Sequence, residues 1–102
     1  MRRNMGWSMI EILTWTKNAW SDYVYWHQHD INTRNRINEL VQDAATTPFV
    51  GIGKPESLQA SLAGLWSRKI DMTNRLIYAV DNKTLTIISC RYHLKITMVL
   101  PR

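Results

Sequence analysis

Pro48, Gly51, Gly53 and Pro55 all fall between Thr46 and Glu56. Neither a helix interior nor a central strand tolerates that density of backbone breakers, so the stretch is a loop. It divides the chain into two parts of different periodicity. Ahead of it, apolar residues recur mainly at helical spacing; behind it, they alternate. A chain divided in this way predicts an α+β domain, with helices early and a run of consecutive strands late.

In the first part, Met9-Ile10-Glu11-Ile12-Leu13 reads as a short strand. Thr16 is the N-cap of a helix whose apolar face is Ala19, Trp20, Tyr23, Val24 and His27. A second helix spans about Asn32 to Ala45, with the stripe Ile37, Leu40, Val41 and Ala44 turned to the core and Arg34, Arg36, Glu39, Gln42 and Asp43 covering the other side. Behind the loop, strands are expected over Gly64–Ile70, Arg75–Val80 and Thr84–His93, with turns at Asp71–Asn74 and Asp81–Lys83. The expected order is β-α-α-β-β-β: an antiparallel meander with two helices packed on one face. In the last strand, simple alternation puts Ile88, Cys90 and Tyr92 beneath the helices, and Ser89, Arg91 and His93 on the open face with Leu85 and Ile87.

The chain has 102 residues, enough for one core but not two. With 45% hydrophobic residues and five Trp, it can fill that core. Residues 9–94 form the single expected domain. Residues 1–8 read as an N-terminal extension that need not be native, and 95–102 as a C-terminal tail. The net charge of +5 favours polyanions or an acidic partner. Cys90 stands alone, so neither an internal disulfide framework nor a multi-cysteine zinc site can form, and a reducing cytoplasm fits. No apolar run approaches the roughly 20 residues needed to cross a bilayer, so no membrane role is expected.

Gly51-Ile52-Gly53-Lys54 lacks the spacing of a phosphate-binding P-loop. His27 and His29, two apart on a helix, do not face one another, and no metal or other cofactor is expected. Glu56, Arg75 and His93 are a more useful set, with Lys54, Arg68, Lys69 and Arg91 near them in the expected sheet or loop. Metal-free RNA cleavage needs a base for the 2′-hydroxyl, an acid for the departing 5′-oxygen and a cation for the charged phosphoryl group. A carboxylate, an imidazole and a guanidinium meet those needs. Taken singly, however, each residue has an ordinary reading: a solvated loop carboxylate, a surface arginine and a strand-end histidine.

Order and local context single these residues out. Thr47-Pro48-Phe49-x-Gly51-x-Gly53-Lys54-Pro55-Glu56-x-Leu58, Leu62-x-Gly64-x-Trp66-Ser67-Arg68, Arg75-Leu76-x-Tyr78 and Cys90-Arg91-Tyr92-His93 resemble the Txe/YoeB family of bacterial toxins. Trp20-Ser21-Asp22-Tyr23-Val24-Tyr25-Trp26 and Ile37-Asn38-Glu39-Leu40 are similar to it as well, so the resemblance runs from about Met9 to His93. It implies a RelE-like, microbial-RNase-like fold and a ribosome-dependent endoribonuclease that cuts messenger RNA in the ribosomal A site. It further implies neutralisation by a YefM-type antitoxin, a homodimer or two toxins per toxin–antitoxin complex, and no metal. Residue by residue, Glu56 matches the family's general base, Arg75 its phosphate-stabilising arginine and His93 its general acid. Lys54, Arg68, Lys69 and Arg91 are expected to hold RNA backbone.

The chain departs from that pattern in four places. Leu94 follows His93 where many relatives have an aromatic residue, Lys69 replaces a common Arg, Gln59 stands where a basic residue is frequent, and the apolar tail after Leu94 runs past the usual end. These departures keep a second reading open: a catalytically weakened module that binds the ribosome or the antitoxin and acts in transcriptional autoregulation. A general ribonuclease acting on free RNA is a third reading, disfavoured by the small number of cations at the site.

Overall fold

A computed structural model of the chain describes residues 10–58 and 64–92. Its elements run β1 (Ile12–Trp15), α1 (Lys17–His29), α2 (Ile31–Thr46), β2 (Glu56–Ser57), β3 (Leu65–Lys69), β4 (Arg75–Asp81) and β5 (Thr84–Ser89). Thr16 is the N-cap of α1: its Oγ1 accepts the Ala19 N–H at 2.9 Å and donates to the Ile88 carbonyl, which ties the helix start to the sheet. Asp30 serves both helices. Its N–H closes α1 on the Trp26 carbonyl, and its carboxylate accepts the Thr33 N–H to open α2.

The α2 stripe is as expected. Ile37, Leu40, Val41 and Ala44 are all buried, and fully burying a leucine of this kind contributes about 2 kcal/mol. Together with Ala19 they cover Ile70, Leu76, Tyr78, Leu85, Ile87 and Cys90 on one face of the sheet. On α1 the inward face is rotated from the expected one. Ala19 and Asp22 are buried, and Tyr23 and Trp26 pack on the core, whereas Trp20 is 53% exposed and His27 lies in solvent. The rotation follows from two polar contacts. Asp22 Oδ2 accepts the Cys90 N–H, and Trp26 Nε1 donates to the Cys90 carbonyl, so both side chains face inward with partners.

The strand order is β1-β5-β4-β3-β2. Strands β2 to β5 form the expected antiparallel meander, extended by the two-residue β2. The sheet is mixed rather than wholly antiparallel, because β1 runs parallel to β5. That pairing, Ile12 opposite Thr84 through Trp15 opposite Ile87, also moves the first strand from the expected Met9–Leu13 towards α1.

The expected faces of the last strand are corrected by a bulge. Ile77 pairs with Ser89 and Tyr78 with Ile87, which leaves Ile88 without a partner. The extra residue resets the alternation. Leu85 and Ile87 therefore lie in the core, not on the open face, and Ile88 is only half-buried. Cys90 is buried as expected, whereas Tyr92 is exposed. The strand ends at Ser89, and its expected terminus at His93 lies outside the described residues, as do Met9, the 1–8 extension and the 95–102 tail. Among the described residues, no helix is long and apolar enough to cross a membrane.

Candidate active site

Glu56, Ser67 and Ile77 follow one another across β2, β3 and β4, so their side chains share the sheet face opposite the helices. Arg75 precedes Ile77 by two residues and projects from that same face. Its Nη1 donates to Glu56 Oε1 at 3.2 Å and to Ser67 Oγ at 3.1 Å. The Glu56 side chain is 63% exposed and that of Arg75 27%, so the pair is open to a ligand. Lys69 stands directly opposite Arg75 in the β3–β4 register and is exposed. Lys54, exposed two residues before Glu56, has a φ of +53°. The adjoining Gly53 carbonyl accepts the Lys69 N–H at 2.7 Å, which seats the loop against β3.

Arg68 belongs elsewhere. It pairs with Leu76 across β3 and β4, points to the helix side and is wholly buried. All five of its N–H donors are in use. Nε donates to Tyr78 Oη, Nη1 to Asp43 Oδ2 and the Ile52 carbonyl, and Nη2 to the Thr47 and Val50 carbonyls. The expectation that Arg68 grips RNA is corrected: its guanidinium has no donor left for a phosphate, and it instead gathers the 47–53 loop. Strand alternation accounts for this, since neighbours on β3 such as Arg68 and Lys69 must face opposite ways. Burial pushes the Tyr78 hydroxyl up from its ordinary pKa, against the opposing pull of Arg68.

Arg91 turns to α1. Its guanidinium lies 3.5 Å from the centroid of the Tyr25 ring, and its Nη2 donates to Tyr92 Oη. Gln59, His93 and Leu94 lie outside the described residues. The sheet thus brings Glu56, Arg75 and Lys69 together, and the described chain stops one residue short of His93. Among the described residues, no three His, Cys, Asp or Glu side chains gather at one point. The sequence reading missed Ser67, the second anchor of Arg75. Its only signal was parity: two residues before Lys69, it occupies the same face of β3.

This constellation is a carboxylate paired with a guanidinium on an open, basic sheet face, behind a loop braced from within. It can accept a proton and hold an anion. The model for "YoeB-like toxin of bacterial type II toxin-antitoxin system" matches residues 15–94. The chain belongs to that family of toxins. The toxin YoeB of Escherichia coli strain K12 is 48% identical over 81 residues, spanning 79% of this chain and 96% of that protein. Among solved structures, a YoeB dimer from Staphylococcus aureus is 39% identical with a TM-score of 0.77, covering 82% of this chain and 98% of that one. A heterotetrameric YoeB–YefM toxin–antitoxin complex from the same organism gives a TM-score of 0.75 at 39% identity, covering 81% and 98%. Family membership accords with the α+β order and with the motif-bearing positions, which lie within the matched span.

Proposed function

We propose that this toxin is a ribosome-dependent endoribonuclease that cleaves messenger RNA in the ribosomal A site, without a metal ion. The observation that carries the reading is the Glu56–Arg75 pair on the solvent-facing side of the sheet, with Lys69 in register beside it. Glu56 takes the proton of a 2′-hydroxyl, and the freed oxygen attacks the adjacent phosphorus. The bond to the 5′-oxygen breaks, and His93 supplies the proton that this oxygen requires. The products are a 2′,3′-cyclic phosphate and a 5′-hydroxyl end. Arg75 offsets the charge that grows on the phosphoryl oxygens. Exposed ion pairs are worth no more than about 1 kcal/mol, so a phosphodiester can draw Arg75 from Glu56 at little cost and leave the carboxylate free to act as a base. Lys54 and Lys69 hold RNA backbone, and Arg91 joins them by leaving its stack on the Tyr25 ring.

The reading places the toxin in the cytoplasm, silenced by a YefM-type antitoxin and assembling as a dimer or as two toxins per complex. The Staphylococcus aureus assemblies named above support the antitoxin and the dimer. The test is mapping of new 5′ ends on messages in programmed ribosomes. Discrete cuts within the A-site codon are expected from the parent. Glu56→Ala, Arg75→Ala and His93→Ala should each slow cleavage by about a hundredfold or more. Ribosome occlusion without new ends would overturn the reading in favour of a binding module, and rapid cutting of free RNA would remove the ribosome dependence.

A further inference from the structure

A recess of about 300 Å³ opens in the helix layer, on the other side of the sheet from Glu56 and Arg75. Trp20, Tyr23, Val24 and His27 line it from α1, and Arg34 from α2. Its aromatic wall is fixed in place. The Trp20 ring stacks on Tyr23 with centroids 5.6 Å apart, Trp15 backs Tyr23 at 5.0 Å, and Tyr23 Oη donates to Asn38 Oδ1 at 2.7 Å. Trp20 nevertheless remains 53% exposed. A tryptophan already ordered in this way loses little further freedom when a partner covers it.

The charge at the recess has one sign. Arg34 Nη1 donates to His27 Nδ1 at 2.9 Å and Nη2 to Asn35 Oδ1 at 2.8 Å, whereas Nε is shut off from solvent with no partner. Among the described residues, the guanidinium joins no ion pair and no carboxylate lines the recess. Asp30, the acid nearest to Arg34 in sequence, spends its carboxylate on the Thr33 N–H and Oγ1. A carboxylate that draws the guanidinium towards itself supplies the missing counter-charge and an acceptor for Nε. An exposed tryptophan beside an unpaired arginine is also the composition that dominates protein–protein binding energy.

We infer that this recess docks an acidic segment of the antitoxin, with a bulky apolar side chain filling it against Trp20 and a neighbouring Asp or Glu carboxylate meeting Arg34. The inference rests on the antitoxin reading given above and adds the surface and the chemistry of the contact. Charge complementarity selects this occupant, because a chain of net charge +5 offers a cation here and no acid. An RNA backbone would satisfy the cation but would leave the apolar recess unfilled. Contact here also leaves the Glu56–Arg75 face uncovered, so docking and catalysis are separable.

The test compares the parent with Trp20→Ala and Arg34→Glu. Each is titrated with the purified cognate antitoxin and assayed for message cleavage on programmed ribosomes. Both variants should bind the antitoxin about thirtyfold more weakly while cutting within twofold of the parent rate. Arg34→Glu, whose side chain stands at the surface, keeps the test valid if Trp20→Ala unfolds. Replacing the antitoxin's carboxylates one at a time by Lys should reveal one position that restores binding to Arg34→Glu. Variants that bind within threefold of the parent overturn the docking site and leave the antitoxin reading standing. A parent that does not bind the antitoxin overturns that reading, and this inference with it. Unchanged antitoxin binding with slowed cleavage would assign the recess to RNA, and unchanged antitoxin binding with dimers lost in sedimentation would assign it to a second copy; either overturns the inference.

Discussion

Arg68 Nη1 and Asp43 Oδ2 lie 2.6 Å apart, although their residues are separated by 25 positions and belong to β3 and α2. Asp43 Oδ2 also accepts the Ile52 N–H at 3.0 Å. The carboxylate, the buried guanidinium and the carbonyls of Thr47, Val50 and Ile52 make one connected network. It braces from beneath the loop that delivers Lys54 and Glu56 to the opposite face of the sheet. The Glu56–Arg75 face is therefore supported by a cation whose donors are all spent inside the protein.

Asp43→Asn strands the Arg68 charge in the core. Removing one partner of a buried pair costs about 3–5 kcal/mol, and the 31% exposure of the Asp43 side chain places this case nearer 2–3 kcal/mol. Urea unfolding at neutral pH measures the loss. An unshifted midpoint would show that the loop carbonyls alone suffice to neutralise Arg68.

Tyr78→Phe removes a hydroxyl that donates to the Pro48 carbonyl at 2.6 Å and accepts from Arg68 Nε, so a loss of about 1–2 kcal/mol is expected. The same hydroxyl gives the parent a pH signature. Its folded pKa is raised above the ordinary value of 10.0. The stability contribution is therefore complete below pH 10 and is lost as pH rises from there through the folded value. Melting curves from pH 8 to 11 should show this alkaline decline in the parent and a shallower one in Tyr78→Phe. Identical slopes would contradict it.

Asp71 gives the opposite signature. Partial burial pushes its carboxyl up, but the N–H groups of Asn74 and Thr73 and the Asn74 amide outweigh burial and hold it below the ordinary 3.8. Its contribution is present above that value and fades as pH falls through the depressed folded value. Asp71→Asn should lower stability at neutral pH by about 1 kcal/mol and reduce the acid dependence of the melting temperature below pH 4. A variant melting as the parent does throughout that range would contradict this.

Gly53 has a φ of +78°, and a Cβ there would meet Leu40 Cδ2 at 2.6 Å and the Lys69 carbonyl at 3.2 Å. Gly64, at φ +93°, would place its Cβ in open space. Gly53→Ala is expected to destabilise by about 2–4 kcal/mol through strain and overpacking, against about 1 kcal/mol for Gly64→Ala. Thermal unfolding of the two variants separates them, and equal losses would show that the α2–loop contact yields without cost.

Lys54→Ala and Lys69→Ala remove exposed cations beside the Glu56–Arg75 pair while leaving that pair intact. Each should weaken message binding on the ribosome and reduce the log–log salt slope by roughly 0.7 if it touches one phosphate. Titrations between 50 and 200 mM salt read this directly. Unaltered slopes would place both lysines outside the RNA path.

Local chemistry and periodicity in the sequence determined several elements: the capped start of α1, the α2 stripe Ile37, Leu40, Val41 and Ala44, the Pro/Gly loop, and the strands around Arg75–Val80. The resemblance of its motifs to a toxin family, and not periodicity, made Glu56 and Arg75 candidates. The periodic signals act over a few residues, because 3.6-residue and two-residue periods are set by backbone geometry. Only the tertiary structure decided which way Arg68 points, where the Ile88 bulge resets β5, why Asp22 and Trp26 turn inward, and that β1 joins in parallel. Each of these depends on a partner tens of residues away supplying a hydrogen bond or a pairing edge. A strand's parity carries no information until that register exists, which is why two adjacent cations on β3 came to opposite ends, Lys69 in solvent beside the site and Arg68 in the core beneath it.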